Sequence, residues 1–163
     1  MELKHRLDPK YIFIGLYVVV LLIYIIIGLK PAGAAKYVIS GKINIPSINL
    51  ESDVTRLELN NGKLDAPDTI VGSYSTSANK TLLIGHSTTI FQDLHELSLN
   101  QYVYYNGTSY KITSIEVKPK SSIRMSDILV AASKDTIVLM TCAGELFENG
   151  DATHRLIITA AIE

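Results

Sequence analysis

Cysteine is nearly absent from this chain: Cys142 stands alone among 163 residues. A single cysteine excludes an intramolecular disulfide, and no Cys-x-x-Cys or Cys/His cluster has the spacing of a structural zinc site. Tryptophan is missing, and charge of neither sign is concentrated anywhere. The formal net charge is -1 with acidic and basic residues interspersed, which argues against a nucleic-acid surface or a polyanionic tail. No repeat or low-complexity tract divides the chain. Its length suffices for one domain with a self-supporting core, so packing must hold it together.

What is present begins with one long apolar run, "YIFIGLYVVVLLIYIIIGL", uncharged from Tyr11 to Leu29. At 1.5 Å rise per residue it would span about 28 Å, close to the thickness of a bilayer core. Residues 11–29 are therefore expected to form a transmembrane helix, with Tyr11 as an interfacial anchor and Lys30-Pro31 as a stop. A cleaved signal peptide is the alternative, since "PAGAA" offers small residues, but signal cores run to about 7 to 15 residues and this one is longer. The expected layout is a head over 1–10, the anchor over 11–29, a linker over 30–38 and a domain over 39–163. Lysines and arginines on both sides of the anchor leave its orientation undecided by charge.

Beyond the linker the chain reads as short strands. "GKINIPSINLESDV" alternates through Ile43, Ile45, Ile48 and Val54 and bends at Pro46. "KTLLIGH" and "DTIVLMTC" are continuous apolar runs that end in polar groups, as buried strands do on reaching a rim. "QYVYYNGTSYKITSIEV" reads as a hairpin around Asn106-Gly107, and "HRLIITAAIE" supplies a last strand. Helical signals are few. Phe91, Leu94 and Leu97 share one face of "FQDLHELS", about two turns of helix with His95 turned to solvent. "SDILVAAS" from Ser126 opens with a Ser-Asp cap signal. The expected fold is mostly β, a closed barrel of about eight strands with one or two short helices, because closure removes exposed sheet edges.

Three residues at strand-to-loop junctions could carry chemistry. A thiol attacking a carbonyl needs a nucleophile, an acid for the leaving amine and a donor for the oxyanion. Cys142 ends one apolar strand, His86 ends another in "LLIGHS", and Arg155 opens a third in "THRLII". Taken singly, each has a plainer reading: a small buried residue, a turn histidine and a solvated rim charge. His154 is a weaker rival to His86, since strand alternation turns it away from Arg155. Glu145, Glu148 and Asp151 form no recognisable calcium-ligand pattern and read as a solvated, mobile loop between the Cys142 and Arg155 strands.

The order of these motifs resembles that of the sortases, membrane-anchored cysteine transpeptidases of Gram-positive and related bacteria. "IGHSTTIFQDLHEL" has the family's histidine after a strand and before a short Phe-x-x-Leu helix. Leu139-Met140-Thr141-Cys142 matches its Leu-x-Thr-Cys motif, Arg155 its arginine at the start of the final strand, and "INIPSINL" its opening strand. The resemblance implies a sortase-like eight-stranded barrel and cleavage of a Thr-Gly bond in an LPXTG-like sorting signal. Cys142 would form the thioacyl enzyme, His86 would move the proton, and Arg155 would stabilise the oxyanion, with Thr141 and Ser87 lining the substrate cleft. No cofactor or metal is expected, although some members of that family bind calcium through acidic loop residues. The partners would be secreted proteins with such signals, an amine of a cell-wall precursor or a pilin lysine, and the membrane. The N-terminus would be cytoplasmic and the domain extracytoplasmic.

The compact 143–154 loop and the absence of a long segment between anchor and first strand leave subclass and exact motif open. L,D-transpeptidases keep histidine and cysteine together in a Ser-x-Gly-Cys-type motif that is absent here, and papain-like hydrolases place the cysteine first. A catalytically inactive, membrane-tethered β-barrel binding module is the non-enzymatic alternative.

Overall fold

The computed structural model describes Tyr17, Val19 and residues 37–77, 79–148 and 151–163. The expected head over 1–10 and, apart from Tyr17 and Val19, the expected anchor over 11–29 lie outside these. Among the described residues no helix is long and apolar enough to cross a membrane.

Proline and asparagine shape the first corner. Strand β1 (Ile39–Ile45) stops where Pro46 removes a ladder donor, a 3-10 turn spans Pro46–Ile48, and Asn49 adopts φ 50° before β2 (Leu50–Arg56) returns antiparallel. Strand β3 (Val71–Ser77) then pairs in parallel with β2, and β4 (Lys80–Ile84) pairs antiparallel with β3. The hairpin expected at Asn106-Gly107 forms between β5 (Tyr102–Tyr105) and β6 (Thr108–Pro119). Asn106 at φ 50° and Gly107 at φ 80° supply the two left-handed residues that a tight two-residue turn needs. A four-residue helix, α1 (Met125–Ile128), precedes β7 (Thr136–Leu146) and β8 (Ala152–Ala161).

The strands close into a barrel in the order β1-β2-β3-β4-β7-β8-β6-β5, as the density of short strands suggested. Strand β3 carries no apolar alternation. "VGSYSTS" is rich in small polar residues, and the neighbouring strands bury only its first three, Val71 to Ser73. Ser73, for example, donates its hydroxyl to the Thr55 carbonyl (3.1 Å). The helical expectations shrink. Phe91, Leu94 and Leu97 are buried as expected, but their segment is a series of turns with one 3-10 turn at Leu94–Glu96. So short a segment cannot repay helix nucleation, and its three apolar anchors fix it instead. Helix α1 is capped at Arg124 with no side-chain bond, and Ser126 lies inside it rather than at its cap. The expected 143–154 loop is also shorter, because β7 runs to Leu146 and β8 starts at Ala152.

Side-chain alternation gives the sheet two apolar faces. Inside the barrel, Leu83, Ile137, Leu139, Leu156 and Ile158 pack with Phe91 and Leu94. On the outside, Leu82, Ile84, Val138 and Ile157 form a second patch. It is flanked by Leu57, Leu64 and Ala66 of the β2–β3 connection and by Ile123, Met125 and Ile128 around α1.

Candidate functional site

The site sits on this outer face, where β4, β7 and β8 lie side by side. Along β7, Ile137 and Leu139 point inward while Val138 and Met140 belong to the outer patch, so alternation turns Cys142 outward. Along β8, Leu156 and Ile158 point inward and Ile157 outward, which turns Arg155 outward too. Cys142 and Arg155 are direct partners in the β7–β8 ladder. Directly opposed residues of an antiparallel pair share a face with Cβ atoms about 4.5–5.5 Å apart.

His86 reaches the same face from β4. The parallel register pairs Ile84 with Met140, and Gly85 N–H continues it by donating to the Met140 carbonyl (3.4 Å). Gly85 points inward, where an added Cβ would come within 2.6 Å of Ile90 and 2.9 Å of Phe91, so only glycine fits here. His86, one residue on, falls on the outer side. Thr141 locks the two strands together: its buried hydroxyl donates to the Gly85 carbonyl at 2.8 Å.

The surroundings of the three residues differ. His86 Nε2–H donates to the Ala66 carbonyl (3.0 Å), with Asp68 Oδ1 3.7 Å away, and the side chain is 40% exposed. A carbonyl only accepts, so the proton sits on Nε2 and Nδ1 is left for chemistry. Arg155 is 16% exposed and donates from Nη2 to Asp151 Oδ1 (2.6 Å). Its Nη1 donates to the carbonyls of Ala152 (3.1 Å) and His154 (2.9 Å). Asp151 also accepts from Lys120, so it is an ion-paired residue rather than the solvated loop residue expected. Lys120, then Arg155, then the Ala152 N–H hold its carboxyl well below the usual carboxylate range.

A cleft of about 300 Å³ opens beside the thiol. Cys142, Thr141 and Ser87 line it with Phe91, Gln92 and His95. His95, expected to face solvent, is exposed and also borders this cleft, with its ring Nδ1 3.0 Å from the Gln92 carbonyl. His154 pairs across the ladder with Ala143, which packs against the inner core, so it stands on the face opposite Arg155. Sequence reasoning missed the β2–β3 connection: nothing in "LDAPDTI" signals contact with His86. Its one local cue is Pro67, which biases Ala66 to an extended backbone.

Residues 43–163 match the family model for the sortase domain. No curated protein in the comparison matches the chain. Among solved structures, sortase C1 of Streptococcus agalactiae is similar at 22% identity and a TM-score of 0.59, over 81% of this chain and 71% of that one. Sortase A of Listeria monocytogenes aligns at 14% identity with a TM-score of 0.60, over 77% and 87%. Sortase C of Clostridium perfringens SM101 aligns at 21% identity and 0.59, over 76% and 69%. Identities this low speak for the barrel alone, whereas the family model spans most of the chain: this protein belongs to the sortase family of cysteine transpeptidases.

Proposed function

We propose that the protein cleaves the Thr-Gly bond of an LPXTG-like sorting signal and transfers the threonyl group to an amine. Cys142 attacks the threonine carbonyl carbon, and the C–N bond to glycine breaks. His86, protonated at Nδ1, gives that proton to the leaving amine and leaves a thioacyl enzyme. The incoming amine then attacks the thioester, His86 takes up its proton, and the thiolate departs. Each carbonyl attack develops an oxyanion, and Arg155 supplies N–H donors to it. Phe91, Leu146 and Leu156 in the cleft beside Cys142 suit the aliphatic part of the signal, and Ser87 and Thr141 line the same cleft.

The register carries this reading. Direct pairing of Cys142 with Arg155, and a β4 exit that turns His86 onto their face, bring nucleophile, acid and oxyanion donor to one side of the barrel. The acceptor is a cell-wall precursor amine or a pilin lysine. The apolar run over 11–29 supports a single-pass anchor with a cytoplasmic N-terminus and an extracytoplasmic domain.

A library of candidate sorting peptides incubated with the full chain tests the reaction. Expected are cleavage after threonine and an acyl adduct on Cys142 by mass spectrometry, with the product captured when an amine is supplied. Absence of cleavage and adduct from a folded chain would favour an inactive binding module. Protease added outside intact cells should degrade the domain; protection would reverse the orientation.

A further inference from the structure

Asp151 stands at the entrance to β8 and joins that strand to the turn after β6. One carboxylate oxygen, Oδ1, accepts from Arg155 Nη2 (2.6 Å) and from the Ala152 N–H (2.8 Å). The other, Oδ2, accepts from Lys120, in the turn that follows β6. The side chains of Arg155 and Asp151 are 16% and 29% exposed, more sheltered than an ordinary surface pair. A guanidinium has five N–H groups. Among the described residues, three of those on Arg155 are taken by Asp151, Ala152 and His154, all on the β8 side.

The barrel gains little from this arrangement. Arg155 belongs to neither apolar cluster, and an ion pair that stays partly open to water, as this one does, contributes little to stability. A donor for a developing oxyanion, by contrast, depends on being aimed before the reaction starts, since a flexible arginine would have to be ordered during each turnover. We propose that Asp151, backed by Lys120, is the positioning residue for Arg155: it holds one edge of the guanidinium so that the other two N–H groups meet the carbonyl oxygen under attack at Cys142. This rests on the reading of Arg155 as oxyanion donor.

The test compares the wild-type full chain with Asp151→Ala, Asp151→Asn and Lys120→Ala. Cleavage kinetics are measured with a sorting peptide, and the Arg155 Nε–H signal is followed by NMR. Alkylation of Cys142 by iodoacetamide and the thermal midpoint serve as controls. Asp151→Ala should lower kcat about 10- to 100-fold and change KM less than about threefold, because misaimed groups cost rate more than binding. Asp151→Asn, which keeps an acceptor oxygen, should fall between, and Lys120→Ala should lose about threefold. The Arg155 signal should lose its protection from exchange in Asp151→Ala, with alkylation unchanged and the midpoint lowered by about 2 °C or less.

Unchanged kcat with an unchanged Arg155 signal would overturn the proposal. So would a rise in kcat, which would mean that Asp151 withholds the arginine, or a loss that tracks a midpoint lowered by more than about 2 °C. A wild-type chain silent on every peptide would count against the transpeptidase reading alone, and the Arg155 signal would still decide whether Asp151 orders the guanidinium.

Discussion

Cys142 and Arg155 are held by a ladder, and His86 is held by a turn. The first two face each other inside the paired stretch of β7 and β8, so their spacing follows from backbone hydrogen bonds on both sides. His86 lies beyond the last paired residue of β4, Ile84, and is steadied from the β2–β3 connection by the Ala66 carbonyl. The partners differ as well: Asp151 beside Arg155 is 29% exposed, whereas Asp68 beside His86 is 92% exposed. One side is preorganised by secondary structure, and the other can adjust. That division suits the proton transfer proposed for His86.

The largest effect should come from the ladder side. Cys142→Ala should lower peptide cleavage about 10⁴-fold or more, since loss of a nucleophile removes the covalent route. Circular dichroism should show an unchanged fold, and retained activity in that variant would refute the mechanism. Next, His86→Ala and Arg155→Ala should each lower kcat, by roughly 10²- to 10⁴-fold and 10²- to 10³-fold. They should differ in rescue. Imidazole should restore His86→Ala several-fold because the site is open, whereas guanidine should restore Arg155→Ala less than about twofold. Equal rescue would erase the contrast between the two sides.

Thr141 links them, so Thr141→Val probes their coupling. Loss of the buried bond to the Gly85 carbonyl should cost about 1–3 kcal/mol in urea unfolding. It should also lower kcat a few-fold without touching Cys142 itself; unchanged kcat would show the sides to be independent. Acid should act selectively on the Arg155 side. The Asp151 carboxyl is held below its ordinary value, so its stabilisation is complete above about pH 4 and drains as pH falls further. The thermal midpoints of wild type and Asp151→Asn should therefore converge as pH falls below about 4, and a constant gap would refute the ion pairing. Smallest of all, Asp68→Asn should change kcat less than about twofold, and not at all in high salt, because an exposed charge is screened.

Particular residues show how far the chain could be read. Asn106-Gly107 announced its hairpin because two left-handed residues in sequence have few other uses. Pro46 marked its corner because it cannot donate to a ladder. Strand β3 escaped notice because only Val71 of its seven residues joins the apolar core. His95 was read from a helix that does not form, so its place at the cleft was missed. Asp151 looked solvated because its partner Lys120 lies in a segment distant in sequence.

The sequence by itself determined that the domain is a β structure with a thiol, an imidazole and a guanidinium on three separate apolar segments, since alternation, turn residues and motif order are local properties; it put Cys142 and Arg155 at strand ends, whereas both lie within the paired stretch of β7 and β8. Which of those segments meet was decided only in the tertiary structure. The parallel register of β4 on β7 and the antiparallel register of β7 on β8 aim His86, Cys142 and Arg155 at one face. A slip of one residue in either would turn a member away, because strand side chains alternate with period two.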